Sequence, residues 1–238
     1  MMEPFASLVE FSGSVYRNVP APRPALDRFG DLLAPEDDDS GADAAAALAD
    51  SFPGSIDMNP EDHHYRAVGF PFESQNFAPT RFSDGFFPVF YASFDAETTV
   101  YETAYHWVVD NAELFRATKE FPVAHRYIYL VPLQAFLVNF SDRAQEMPWL
   151  VDDNYFRCRQ LARRLQKGGQ PGLLAPSARR PGGINAAVFD LNVLGQPAFD
   201  SKLSYVFHSQ QKTLAITPPN VLSTSDDAID VSARLRLS

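Results

Sequence analysis

The chain has 238 residues, 45% of them hydrophobic and 13% aromatic, enough to bury a sizeable core in one large domain or two small ones, of which a single domain is expected. Its formal net charge of -10 argues against a general nucleic-acid binder, because a phosphate backbone has to be met by clustered Lys and Arg. The lone Cys158 rules out an intrachain disulfide, and an N-terminus with an early Glu3, no basic region and no long apolar run predicts neither a signal peptide nor a membrane span, so a cytoplasmic location is expected.

In chain order, Ser14–Val19 alternates as a strand, and the Pro-rich stretch after it cannot continue a ladder. Residues 20–79 read as an irregular acidic and Pro-rich insertion. Within it, Ser40–Ala49 has high helix propensity behind an acidic cluster, with a flexible Ala-rich tract as the alternative. Ser55–Pro79 lacks a period and reads as loop with short extended pieces. Phe86–Ser93 is expected to be a strand and Asp95–Glu113 a helix, with Asp95 as N-cap and Glu97 favourable in the first turn.

The strongest β signal runs from His125 to Phe140, as two strands or one interrupted near Pro132. Asp153–Gln166 reads as an amphipathic helix stopped by Lys167-Gly168-Gly169, its arginines forming either a solvated face or a partner or phosphate site. Beyond it come a short strand at Gly172, a Ser-bearing turn, a second strand through Ala187 to Val193 and a further strand in LSYVFH. There is no internal repeat, CxxC, HExxH or P-loop, and no metal is expected.

Two places carry candidate chemistry. In TRFSDGFFPVFYASFDAETTVYETAYHW, Arg81 falls in a turn and Tyr91 in the strand that follows. Glu102 and His106 stand i, i+4 on one helix face, at the border of an apolar stripe. By pattern alone these are an exposed pair, a core tyrosine and a surface arginine, or else a converging site in which a partly desolvated carboxylate stabilises a developing cation. In APSARRPGG, Ser177 lies in a turn without a Gly-x-Ser-x-Gly elbow. It reads as a turn serine or as an orienting or ligand-binding hydroxyl, and a nucleophilic role is poorly supported.

The succession VYR, RFSDGFFPVFYAS, ETTVYETAYH and GLLAPSARRPGGINAAVFD resembles the RES domain, named for a recurring Arg, Glu and Ser. The likeness runs from about Val15 to Phe207 and is strongest over Thr80–Trp107 and Gly172–Asp190. It implies an α+β single domain with an ADP-ribosyltransferase-like mixed β core flanked by helices. It also implies a toxin of a bacterial toxin–antitoxin pair that cleaves the nicotinamide–ribose bond of NAD by hydrolysis or phosphorolysis. Mono-ADP-ribosylation of a protein acceptor is the alternative, and a non-catalytic partner-binding protein a further rival. The implied partner is an antitoxin of helix-turn-helix type that blocks the active site.

Carried over by position, the resemblance gives Arg81 the NAD phosphates, Tyr91 the nicotinamide or its ribose, and Glu102 the oxocarbenium-like cation. It gives His106 an orienting role and Ser177 a place near the reacting ribose. The first family Arg is assigned to Arg17, with Arg66 as the alternative. Phe82 and Ser83 stand where many members have Trp and Asn.

Overall fold

A computed structural model describes residues 7–21, 59–117, 122–217 and 228–230. In chain order its strands and α-helices are β1 (Ser7–Pro20), α1 (Pro60–His64), β2 (Pro79–Thr80), β3 (Ser83–Asp84), β4 (Phe90–Ser93), α2 (Ala96–Asp110), α3 (Ala112–Ala117), β5 (Val123–Asn139), α4 (Phe156–Lys167), β6 (Gly172–Pro176), β7 (Ile184–Val188), β8 (Ala198–His208), β9 (Thr213–Thr217) and β10 (Ala228–Asp230). The class is α+β, as expected. The chain divides into two compact units. One takes its described residues from 7–18, 60–102 and 128–200, the other from 19–21, 59, 103–117, 122–127, 201–217 and 228–230.

In the first unit the strand order is β1-β4-β7-β6-β5. The pairs β1–β4, β4–β7 and β6–β7 are antiparallel and β5–β6 is parallel. Register sets the faces. Tyr91 opposes Ala187 and Ser93 opposes Asn185 across β4 and β7, while Leu173 and Ala175 of β6 oppose the same two β7 residues. Because side chains alternate along a strand, these six share one face. Its apolar half packs on α4, whose buried Cys158, Leu161, Ala162 and Leu165 recur at helical spacing. Each fully buried leucine there contributes roughly 1.5–3 kcal/mol of burial free energy. Helix α4 starts at Phe156, three residues after the expected Asp153, and ends at Lys167, one residue past the expected Gln166, with Gly169 at φ +74 and the Gln170 N–H closing on the Leu165 carbonyl.

In the second unit, β8 pairs with β9 and β9 with β10, both antiparallel. The rings of Phe115 and Phe207 stack at 4.3 Å, Trp107 meets Phe115 edge-on at 4.8 Å, and the Thr103 and Tyr205 hydroxyls share a 2.7 Å hydrogen bond.

Several boundaries differ from the sequence reading. Strand β1 starts seven residues before Ser14; its first half is largely exposed, with half-buried Val9 and Phe11 alternating with exposed Glu10 and Ser12. The expected loop over Ser55–Pro79 is, from Pro60, a succession of single helical turns: α1, a π-turn at Tyr65–Gly69 and 3₁₀ turns at Phe70–Phe72 and Ser74–Asn76. Each is too short to display a 3.6-residue period. The strand expected from Phe86 begins at Phe90, because the chain leaves the β2–β3 hairpin through a bend, with Gly85 at φ +89 and the Ser83 hydroxyl donating to the Phe87 carbonyl at 3.0 Å. The helix expected to reach Glu113 breaks at Asn111 into α2 and α3.

Strand β5 runs unbroken through Pro132, which is exposed and uses its carbonyl to accept the Gly195 N–H at 2.8 Å, so no ladder donor is lost there. The strand expected through Val193 stops at Val188, where Asp190 accepts the Asn192 N–H at 2.9 Å and starts a 3₁₀ turn. The proposed helix Ser40–Ala49, like most of the 20–79 insertion, lies outside the described residues.

A methyl group on Gly172 would lie 2.6 Å from the Ala187 carbonyl oxygen and 3.0 Å from Val188 Cα, both backbone atoms of the paired strand. Gly172→Ala is therefore expected to lower stability by about 1–3 kcal/mol, read as a lower urea midpoint at unchanged m-value.

Candidate functional site

Helix α2 starts where the chain leaves β4, and Asp95 caps it: its Oδ1 accepts the Thr98 N–H at 2.7 Å and its Oδ2 the Thr98 hydroxyl at 2.8 Å. The expected cap is thus present. This anchor sets the turn of helix that presents Glu102.

Glu102 Oε1 accepts two hydrogen bonds, from the Ser177 hydroxyl at 2.6 Å and from Asn185 Nδ2 at 2.7 Å. Neither uses Oε2. Asn185 is held from behind, since its Oδ1 accepts the Ser93 hydroxyl at 2.7 Å. Ser177 Oγ in turn accepts the backbone N–H groups of Arg179 at 3.1 Å and Arg180 at 3.0 Å. A hydroxyl has one proton, and that of Ser177 lies on Glu102. Ser177 therefore orients the carboxylate, and its proton is not available to a ligand while that bond is made.

The turn bearing Ser177 is fastened to the start of α2. Arg180 Nη2 pairs with Glu97 at 2.5 Å, and its Nη1 lies 3.6 Å from Asp95 and donates to the buried Thr98 hydroxyl at 3.2 Å. On the other side of the turn, Arg179 Nη2 pairs with Asp153 at 2.8 Å and donates to the Tyr155 hydroxyl at 3.2 Å. The Tyr155 ring carries the Arg81 guanidinium 4.4 Å from its centroid. Arg81 spends Nη1 on the carbonyls of Leu150 at 3.0 Å and Asp152 at 2.6 Å.

Tyr91 has its hydroxyl engaged, accepting the Phe82 N–H at 2.8 Å and sharing a 2.7 Å bond with Thr80. Burial pushes this phenol well above its ordinary range. Its ring borders a cavity of about 140 Å³ that is also lined by Arg17, Phe77, Thr80, Phe87 and Val89. Arg17 donates from Nη1 to the Tyr91 carbonyl at 2.7 Å and lies over the Phe90 ring.

The first unit thus holds Arg17, Arg81, Tyr91, Glu102 and Ser177, and joins Glu102 to Ser177 directly. Arg66 is exposed on the π-turn, and His106 is exposed on α2 in the second unit, edge-on to Tyr105 at 5.3 Å. Cys158 is fully buried, and its thiol is pushed up by that burial against the opposing pull of Arg81, as suits an unreactive core residue.

Ser93, Asn185, Arg180 and Tyr155 were not singled out in the sequence, and Glu97 was noted there only as a favourable first-turn residue. The signal for two of them was there: Ser93 and Asn185 are the polar residues in the otherwise apolar strands FYAS and INAAV. Among the described residues no group of three or more His, Cys, Asp or Glu side chains is placed to hold a metal, and no helix is long and apolar enough to cross a membrane.

A family model described as the RES domain matches residues 57–208, and the chain belongs to that family. Among solved structures it is similar to the M. tuberculosis MbcT-MbcA toxin-antitoxin complex, at 14% identity and a TM-score of 0.44, over 83% of this chain and 86% of that one. A comparison with curated proteins gives no match.

Gly183 accepts the Ser177 N–H at 2.8 Å, and a Cβ there would meet Thr98 Oγ1 at 2.5 Å and Ser177 Cβ at 3.1 Å. Gly183→Ala is expected to displace the Ser177 turn and to lower the thermal midpoint by several degrees, as a loss of about 1–3 kcal/mol would. The serine N–H should then exchange with solvent faster than in the wild type.

Proposed function

We propose that this RES-family chain is the toxin of a toxin–antitoxin pair and breaks the nicotinamide–ribose bond of NAD. The observation that carries the reading is the carboxylate of Glu102, anchored through Oε1 by Ser177 and Asn185 with Oε2 outside both bonds. As the bond breaks, its electron pair leaves with the nicotinamide nitrogen and positive charge develops on the ribose. A pre-oriented carboxylate stabilises that charge without having to reorganise at the moment of reaction. Water then yields ADP-ribose and a proton, and phosphate yields ADP-ribose phosphorylated at the anomeric carbon that nicotinamide leaves. The aromatic cavity beside Arg17 and Tyr91 suits a flat ring, and Arg81 is assigned the pyrophosphate.

The antitoxin is taken to be of helix-turn-helix type and to act by occupying this site. Protein ADP-ribosylation is the competing outcome for the same intermediate. It is separated by following label from NAD into protein or into small molecules.

Purified chain incubated with NAD is expected to release nicotinamide, and Glu102→Gln to abolish the release. Gln retains an oxygen that accepts from Ser177 and Asn185, so the circular dichroism spectrum and thermal midpoint should be unchanged. Absence of nicotinamide release with water, phosphate and cell lysate as acceptors would overturn the reading.

The family match begins at residue 57 and so takes in Arg66 and not Arg17, whereas it is Arg17 that lines the cavity. Geometry favours Arg17 as the substrate-binding arginine. Arg17→Ala is expected to raise the KM for NAD about tenfold or more, the loss of one charge-assisted bond, with Arg66→Ala near wild type. Equal rates for the two variants would remove Arg17 from the site.

A further inference from the structure

We infer that Asn185, braced by Ser93, is a positioning residue for Glu102, and that the pair fixes which carboxylate oxygen faces the substrate. The inference rests on the NAD-cleaving reading for its kinetic consequences, but its geometry stands without it.

An amide side chain has one donor end and one acceptor end. Here the acceptor end takes the Ser93 hydroxyl and the donor end is left facing Glu102. Register places Ser93 directly opposite Asn185 across β4 and β7, so the brace is built into the sheet. Ser93 is buried, and without its proton Asn185 Oδ1 loses that partner. The amide is then free to turn, and a turned amide presents oxygen to a carboxylate oxygen. That arrangement disfavours the ionised form that a developing cation needs.

Ser177 approaches the same Oε1 from a turn, while Asn185 approaches it from a strand. Two donors on one oxygen fix the carboxylate plane and direct Oε2 away from both. Ser93 and Asn185 touch Glu102 or each other and need not touch substrate, so their effect should fall on kcat and not on KM.

Asn185→Asp replaces the donor by an acceptor of the same shape. It is expected to lower kcat for nicotinamide release at neutral pH by about ten- to a hundredfold, the cost of a misplaced catalytic group, with KM for NAD within about twofold. The acidic limb of the pH–rate profile should move upward, because two carboxylates sharing one site do not both ionise readily. Ser93→Ala should lower kcat in the same direction by a smaller factor, and in an Asn185→Ala background it should have no further effect. An equal effect of Ser93→Ala in both backgrounds, or wild-type kcat in Asn185→Asp, overturns the inference.

A readout independent of turnover is the titration of the Glu102 carboxyl followed by carbon NMR, expected to shift upward in Asn185→Asp. That shift with no nicotinamide release from the wild type would retain the positioning role and sink the NAD reading. No shift, with an active wild type, would do the reverse. Should Ser93→Ala fail to fold, the near-isosteric Asn185→Asp carries the test alone.

Discussion

One carboxylate oxygen gathers the candidate site. Glu102 Oε1 draws together a helix, a strand and a turn distant in sequence, through Asn185 and Ser177. A carboxylate that accepts two well-aligned donors is held far more rigidly than one exposed on a helix face. The helix cap, the Arg180 clasp and the glycine under the turn are all arranged so that these donors arrive.

The Arg180 clasp is the most charge-dense part of that arrangement. Glu97, Asp95 and the Thr98 hydroxyl all lie on one guanidinium, with Glu97 and Thr98 buried. Burying acidic groups costs solvation unless a cation compensates, so the Ser177 turn and the first turn of α2 stabilise one another. Gly183 belongs to the same joint, because any side chain there would occupy the space filled by Thr98.

Much of the fold was legible where periodicity is long. Helix α4, the cap at Asp95 and the long strand β5 follow from apolar spacing and turn chemistry. The turns between Pro60 and Asn76 did not, since each is a single turn whose stability comes from its surroundings and not from local propensity. Pro132 misled the reading because a proline interrupts a strand only where a ladder donor is required, and none is required of it there.

Of the candidate site, the sequence by itself determined the chemical inventory: the carboxylate of Glu102, the hydroxyls of Tyr91 and Ser177, the guanidinium groups of Arg17 and Arg81, and the motif order that marks the RES family. Only the tertiary structure decided which of these meet. The partners of Glu102 lie more than seventy residues away along the chain, and no local pattern encodes a contact at that separation. Sheet register put Ser93 opposite Asn185, and the helix capped by Asp95 carries Glu102 to Asn185 and Ser177. Proton count did the rest: of a serine that reads in sequence as a turn residue or as an orienting or ligand-binding hydroxyl, the single proton lies on Glu102.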